Sequence, residues 1–333
     1  MLGRLLLFCG SLWTTLLSPV GTGVVFVSAP SVCLEEVEVF GITVGEALTG
    51  DDWEPWRNVE RCTSVIEIFA GRSVIYFAAV SGGRAAYAID HNYDGAGMNL
   101  CFVRPFLNVV RLLLSVHEQG LCWQAPCCSS MVFANTANTH REWSNPAGDL
   151  CYDKVITGNI LARVSIWVVA FCVLRKIICI IEQPRRTWFY ELPFVKPIVD
   201  FLLQSLLAWF ATFDMCVFDE RPDGHRTFKP RKLLLSNQAV AEAFQTFACS
   251  CALDHGGKLM YTNTRGQVLP VNGGKSMTES AAYPWPFGQV VIDEWLSAVS
   301  LLHSGPCHKR RRTSLHAIAD AKGDSWQVPS DDE

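Results

Sequence analysis

The sequence predicts an α/β fold built on a mostly parallel, doubly wound sheet with helices on both faces and a strand-rich C-terminal part. Two observations carry this. From Thr63 to Ile181, short β-branched runs alternate with longer apolar-periodic stretches, the order that yields parallel strands joined by crossover helices. The first run, Ile66-Glu67-Ile68-Phe69-Ala70-Gly71, breaks at an alanine-glycine turn, and the next, Ala85-Ala86-Tyr87-Ala88-Ile89, ends in Asp90. A strand, a glycine turn and a second strand tipped by a carboxylate is how doubly wound folds hold nucleoside cofactors. The glycine lets the backbone approach the ligand, and the acid takes the ribose hydroxyls.

Residues 1–29 form an apolar leader. Arg4 precedes Leu5-Leu6-Leu7-Phe8-Cys9, and apolar character persists to Val27-Ser28-Ala29, as in a signal peptide or a single membrane anchor. Thr14, Thr15, Ser18, Pro19, Gly21, Thr22 and Gly23 interrupt the run, and Pro30 follows the candidate cleavage site. As an anchor the leader makes a membrane the partner; as an incidental segment it leaves a nuclear or cytoplasmic protein. Residues 30–62 are mixed and acidic, with Asp51-Asp52-Trp53-Glu54-Pro55-Trp56 as an exposed loop, and read as a lead-in to a domain spanning 63–303.

Within that domain the pattern predicts strand 64–69, helix 72–82, strand 85–90, helix 104–117, strand 121–124, loop 125–149, helix 153–175, strand 177–181 and a loop from Glu182. The 94–120 interval holds a helix but no evident extra strand. Two stretches have the length of membrane spans, 160–181 and 198–218. Arg163, Arg175 and Lys176 interrupt the first, which reads as a buried helix followed by a central strand. The second carries Asp200, Gln204 and Asp214 and reads as an amphipathic core helix. Beyond Arg221-Pro222-Asp223-Gly224, strand-like runs appear at Lys232-Leu233-Leu234-Leu235-Ser236 and Lys258-Leu259-Met260-Tyr261, and a last helix begins near Gln289. Residues 304–333 form a charged, disordered tail with Lys309-Arg310-Arg311-Arg312-Thr313-Ser314 and an acidic end, a pattern also seen in nuclear-import and phosphorylation signals.

Composition excludes some functions. Of the 333 residues half are hydrophobic, enough for a substantial core, and the net charge of −4 gives none of the basic excess of a typical nucleic-acid-binding surface. The fourteen cysteines lie in apolar runs, as Cys172, Cys179 and Cys216 do, or are doubled as Cys127-Cys128, so most read as buried free thiols. There is no Cys-x-x-Cys pair, and the histidines do not stand at metal-ligand spacing from the cysteines, so no metal site is expected. The absence of Asn-x-Ser/Thr acceptors disfavours a glycosylated extracellular protein.

Three loops leave the carboxyl edge of the expected sheet, where open α/β folds bind ligands: the Ala70-Gly71 turn, Ala125-Pro126-Cys127-Cys128-Ser129-Ser130, and Glu182-Gln183-Pro184-Arg185-Arg186. Cys127, just past a strand and stiffened by Pro126, stands where a nucleophile faces the crevice, or is a structural thiol beside a turn. Glu182 follows five apolar residues. Partial desolvation there suits a carboxyl group to donate a proton or hydrogen bond near neutral pH, its plainer role being to cap the loop or pair with Arg185 or Arg186.

Taken together, Phe69-Ala70-Gly71, Asp90, Pro126-Cys127 and Glu182-Gln183-Pro184 resemble, in order and approximate spacing, the cytosine-carbon-5 DNA methyltransferases. The likeness is closer to a set of methyltransferase-like proteins from dinoflagellate algae. Those carry the Phe-Ala-Gly turn, a Pro-Cys-Cys-x-Ser loop, an Asn-Pro-x-Gly stretch (Asn145-Pro146-Ala147-Gly148) and a Glu-Gln-Pro loop. Lys229-Pro230 before an apolar strand and Ala282-Tyr283-Pro284-x-x-Phe287-Gly288 before the last helix extend it over residues 62–298. The resemblance implies a Rossmann-like class I methyltransferase fold and S-adenosylmethionine as cofactor. It also implies Glu67, Phe69, Gly71, Asp90 and Pro126 around that cofactor, Cys127 attacking a pyrimidine ring of nucleic acid, and Glu182 holding the ring nitrogen of a base out of the stack. The chain departs from the family at Arg72-Ser73, in place of a second glycine pair, at Cys128 for glutamine and at Gln183 for asparagine. It has no Gln-x-Arg-x-Arg strand and no long insert for target recognition. Besides an active transferase, a silent domain of the same fold acting as a binding or scaffold module and a membrane-anchored protein are the other readings.

Overall fold

The computed structural model describes residues 33–49, 61–93, 98–218, 230–249, 260–262, 268–270 and 283–304. The apolar leader, the loop around Trp53 and the tail beyond residue 304 lie outside the described residues. The chain begins with a hairpin, β1 (Glu38–Val39) and β2 (Ile42–Thr43), and a short helix, α1 (Val44–Thr49). Then follow β3 (Thr63–Ile68), α2 (Val74–Ser81), β4 (Ala86–Ile89), α3 (Val103–Ser115), β5 (Val116–Gln124), a one-turn helix α4 (Thr136–Thr139), α5 (Asp153–Arg175) and β6 (Ile178–Pro184). The C-terminal part holds α6 (Lys196–Gln204), β7 (Trp209–Asp214), β8 (Pro230–Leu235), α7 (Gln238–Gln245), a small hairpin of β9 (Met260–Thr262) and β10 (Val268–Pro270), and α8 (Trp285–Ser304).

Six strands form one mixed, mostly parallel sheet in the order β4-β3-β5-β6-β8-β7, in which β8 alone runs against its two neighbours. The fold is therefore α/β, as the alternation of patterns predicts. Side chains leave successive strand positions on opposite faces, and both faces are apolar. Ile66, Cys122, Cys179, Ile181 and Leu234 enter a core with α3, α5 and α6. Val65, Leu121, Trp123, Ile178, Ile180, Leu233 and Leu235 enter a second core with α2, α7 and α8. Residues 33–49 join the first core through Leu34, Val37, Val39 and Val44, and the Trp167 indole N–H donates to the Ile42 carbonyl at 3.3 Å.

The helix α5 is long and apolar enough to cross a membrane, with a mean hydropathy of 1.8 over its best window, but 72% of that window is buried inside the protein. It ends at Lys176, whose left-handed φ of 58° lets Ile177 N–H return to the Cys172 carbonyl at 2.8 Å, a closing turn that hands the chain to β6. The 198–218 stretch is not one amphipathic helix. Leu206 takes φ 55° and Leu207 N–H bonds the Leu202 carbonyl at 2.9 Å, which ends α6; the following Trp209-Phe210-Ala211-Thr212-Phe213 then enters the sheet as β7. Two further expectations change. The 125–149 loop contains a 3₁₀ turn, Phe133–Asn135, and α4, and β6 runs on to Pro184, so Glu182 is a strand residue paired with Leu233 rather than a loop residue.

α8 crosses α2 so closely that a Cβ on Gly288 would stand 2.6 Å from both Cγ1 and the carbonyl oxygen of Val74. The backbone contact cannot yield without shifting a helix. Gly288→Ala is expected to lower stability by about 1–3 kcal/mol, read as a lower urea midpoint at unchanged denaturant slope.

Candidate functional site

The strand order fixes where a crevice opens. From β3 the chain passes outward to β4 through α2, on one face, and after β5 it passes through α5, on the other face, to β6. The connections leaving the carboxyl ends of the adjacent strands β3 and β5 therefore part, and such a switch point is where open α/β sheets take ligands. Phe69-Ala70-Gly71 leaves one lip and Ala125-Pro126-Cys127 the other, with Asp90 at the tip of β4.

The first lip is unusually wound. Phe69, Gly71 and Ser73 all have positive φ, at 60°, 55° and 54°. Glycine adopts this without cost, whereas phenylalanine and serine each store on the order of 1 kcal/mol of strain that their surroundings must offset. The surroundings do so through Asp90. Its Oδ2 accepts the Gly71 N–H at 2.9 Å and its Oδ1 the Asn92 N–H at 2.9 Å, with His91 Nδ1 3.2 Å from Oδ1. The Tyr93 hydroxyl donates to the Gly71 carbonyl at 2.6 Å and also meets the Ser73 hydroxyl, so the turn is fastened from both of its peptide groups. Ala70 N–H completes the tie to β4 at the Ile89 carbonyl, 3.1 Å away. In front of Gly71 the space where a Cβ would sit is open to 4 Å, and Arg72 beside it is exposed.

Glu67, on β3 below this turn, is fully buried. Its Oε2 accepts the Tyr76 N–H in the first turn of α2 at 2.8 Å, while Oε1 has no hydrogen-bond partner. Burial pushes its carboxyl up to about 8, against the opposing pull of the Tyr76 and Ile75 amides. At neutral pH Glu67 therefore carries a proton and anchors a helix.

The second lip is held from below. Ala125 N–H donates to the Ile68 carbonyl at 3.2 Å, and the Gln183 amide, buried, donates to the Pro126 carbonyl at 2.8 Å. The latter bond joins the residue before Cys127 to the residue after Glu182. Cys127 is exposed, with its sulfur 3.2 Å from the Ser129 hydroxyl; Cys128 is half-buried, its thiol pushed up to about 11 by burial and by the Glu182 carboxylate. Beneath the loop lies Arg141, with no exposed surface. Its guanidinium donates to the carbonyls of Ser130 at 2.7 Å and Pro146 at 2.6 Å and to Asn159 Oδ1 at 3.0 Å, and burial draws it down to about 10. The Asn159 amide in turn holds the Ala147 carbonyl at 3.0 Å, so the 126–148 segment is pinned to α5.

Glu182 does not pair with Arg185 or Arg186, both of which are exposed. Its Oε1 lies 3.1 Å from the Arg231 guanidinium on the neighbouring strand, and its Oε2 accepts the Tyr283 hydroxyl at 2.7 Å. The alternation of β6 explains this, because Glu182 points to the α2–α7–α8 face, where Arg231 and Tyr283 also lie, while Gln183 points away. Burial lowers Arg231, but Glu182 together with Tyr283 and Cys128 outweighs it and raises the guanidinium, keeping it charged. Tyr283 is pushed well above the tyrosine range by burial first and then by Glu182.

The structure thus gathers Phe69, Gly71 and Asp90 on one lip and Pro126 and Cys127 on the other, with Glu182 one residue from the bond that joins the β6 end to the second lip. Sequence reasoning missed the partners of Glu182 and the arginine under the cysteine loop. Arg231 directly follows Lys229-Pro230 and Tyr283 opens the Tyr-Pro stretch, but neither position tells which carboxylate it meets. No protein-family model matches this chain, and no curated protein matches it.

Because native Glu67 holds its proton more tightly than the unfolded chain does, stability should fall as pH rises from the ordinary carboxylate range toward 8 and level off above it. At about 1.4 kcal/mol per unit the loss amounts to a few kcal/mol. Urea midpoints measured from pH 5 to 8 are expected to fall in the wild type and to stay nearly flat in Glu67→Gln.

Proposed function

We propose that this chain is an S-adenosylmethionine-binding, methyltransferase-like protein of the Rossmann-like class I type, with Cys127 as nucleophile toward a pyrimidine base of nucleic acid. The observation that carries the reading is the pair of lips at the switch point: a glycine turn clamped by the carboxylate at the tip of β4, facing a proline-cysteine loop. The residues present suit the cofactor. The open space before Gly71 admits a ligand against the backbone, and Asp90 Oδ2, having accepted one N–H, retains a lone-pair site for a ribose hydroxyl.

S-adenosylmethionine supplies an electrophilic methyl group. The chain's own part is to add the Cys127 sulfur to the ring carbon beside the acceptor carbon, which makes that acceptor electron-rich. The ring later loses the proton from the methylated carbon and expels the sulfur, restoring the double bond and the free cysteine. Glu182, steadied by Arg231 and Tyr283, would hold the ring nitrogen. The exposed Arg185 and Arg186 beyond β6 offer the local positive charge that the net composition lacks.

That one Glu182 oxygen holds the Tyr283 hydroxyl and the other lies against the Arg231 charge favours a second reading, a cofactor-binding module without transfer. Calorimetry and tritiated methyl transfer separate the two. S-adenosylmethionine should bind the wild type and bind Asp90→Ala about 10- to 100-fold more weakly, as expected for losing a charged acceptor. Transfer to single-stranded nucleic acid should appear with the wild type and vanish in Cys127→Ser while binding persists. Binding without transfer in either protein selects the module, and no binding heat at all overturns both readings.

A further inference from the structure

The two central strands carry a second constellation of ligating groups, away from the crevice lips. Cys122 on β5 and Cys179 on β6 are directly paired across the parallel ladder, and Cys172, in the last turns of α5, lies over them. All three are buried, and their sulfurs lie within 4.8 Å of one another. Among the described residues they are the one set of three metal-ligating side chains whose donor atoms converge in this way. The 50- and 7-residue intervals between them follow no metal motif, which is why the sequence gives no sign of the set. It is assembled by strand register and helix packing.

A fourth group borders the cluster. Gln124, with no exposed surface, donates its amide N–H to the Cys179 sulfur at 3.2 Å, while its Oε1 is buried without a hydrogen-bond partner.

We propose that Cys122, Cys172 and Cys179 form a buried three-sulfur site for a single copper(I) ion. Soft sulfur donors select copper(I), zinc and iron–sulfur centres over hard cations. Charge decides among these. In a dry core, net charge is costly unless paired, and a monovalent ion needs only one deprotonated sulfur for neutrality. Zinc needs a second deprotonated sulfur for neutrality, and its structural sites close with four ligands. Ligation displaces any thiol proton it needs, so copper affinity should rise with pH. The site is structural. Cys122 lies two residues before the end of β5 and Cys179 three residues before Glu182, so an ion there ties together the two strands from which Cys127 and Glu182 extend. It does not depend on the methyltransferase reading.

The test refolds the full chain, reduced and without oxygen, in the presence of an acetonitrile complex of copper(I) and a competing copper(I) chelator. Expected are one copper per chain held against the chelator, a sulfur-only coordination shell by X-ray absorption, and a raised thermal midpoint. Cys122→Ala, Cys172→Ala and Cys179→Ala should each weaken retention by at least the roughly 10–100-fold that even outer-shell partners of a metal contribute. Cys216→Ala, at a buried thiol outside the cluster, should not. Copper held equally by the triple variant, or zinc retained in preference to copper under the same competition, overturns the assignment. Should a variant fail to fold, the wild type decides alone. A shell with fewer than three sulfurs, or copper that leaves the thermal midpoint unchanged, overturns it as well.

Discussion

The pairing of β5 with β6 is the contact on which the rest of the structure depends. Over Leu121↔Ile178 to Gln124↔Ile181 both strands are buried on both faces, and each face needs its own helical layer. That requirement accounts for the apolar α5, whose composition suits a membrane but whose surroundings are protein. It also accounts for the third layer of α2, α7 and α8. With both faces occupied, the backbone ends at the carboxyl edge are where polar side chains meet solvent, and the switch point between β3 and β5 lies there.

Polar groups that enter the sheet nonetheless have to be satisfied where they stand. Glu182 meets the demand with the Tyr283 hydroxyl at one oxygen and only the nearby Arg231 charge at the other, Arg141 with backbone carbonyls and an amide, and Gln183 with the Pro126 carbonyl and the Thr187 hydroxyl. Glu67 has only the Tyr76 amide for one oxygen and takes up a proton, since an unpaired buried carboxylate is the dearer state. The Trp123 indole N–H, on the residue paired with Glu67 across the ladder, is likewise without a partner. Unpartnered buried atoms occur on both faces, since Gln124 Oε1, on the α5 side, also lacks a hydrogen bond.

What was legible in the sequence follows from what is local. The helix 153–175 is marked by a long apolar run, interrupted at Arg163 and ending at Arg175-Lys176, and the Gly71 turn by a strand that stops at glycine, so both emerge from neighbouring residues alone. The end of α6 was not legible, because Leu206 adopts a left-handed turn without the glycine that normally signals one. Glu182 looked like a loop residue because a carboxylate after five apolar residues is an ordinary strand stop; its place inside β6 depends on Arg231, which arrives from a strand 49 residues later in an antiparallel register. The same holds for Arg141, whose guanidinium is surrounded by carbonyls from a segment that shows no periodicity of its own. Cysteine spacing failed for a related reason, since ladder register and helix packing, not intervals along the chain, bring Cys122, Cys172 and Cys179 together.

Strand alternation then separates two kinds of chemistry that share the same backbone. On β5, Cys122 faces α5 and Trp123 faces α8; on β6, Cys179 faces α5 while Ile180 and Glu182 face the opposite layer. The thiols never approach the crevice, yet they sit on the strands that aim it. A shift of β5 against β6 by even part of a residue would stretch the bond from Gln183 to the Pro126 carbonyl and move Cys127 relative to Glu182, because residues 125–128 have no regular structure of their own and take their position from such ties. Anything that fixes the spacing of Cys122 and Cys179 therefore acts on the geometry of both lips from within the core, without contributing an atom to them.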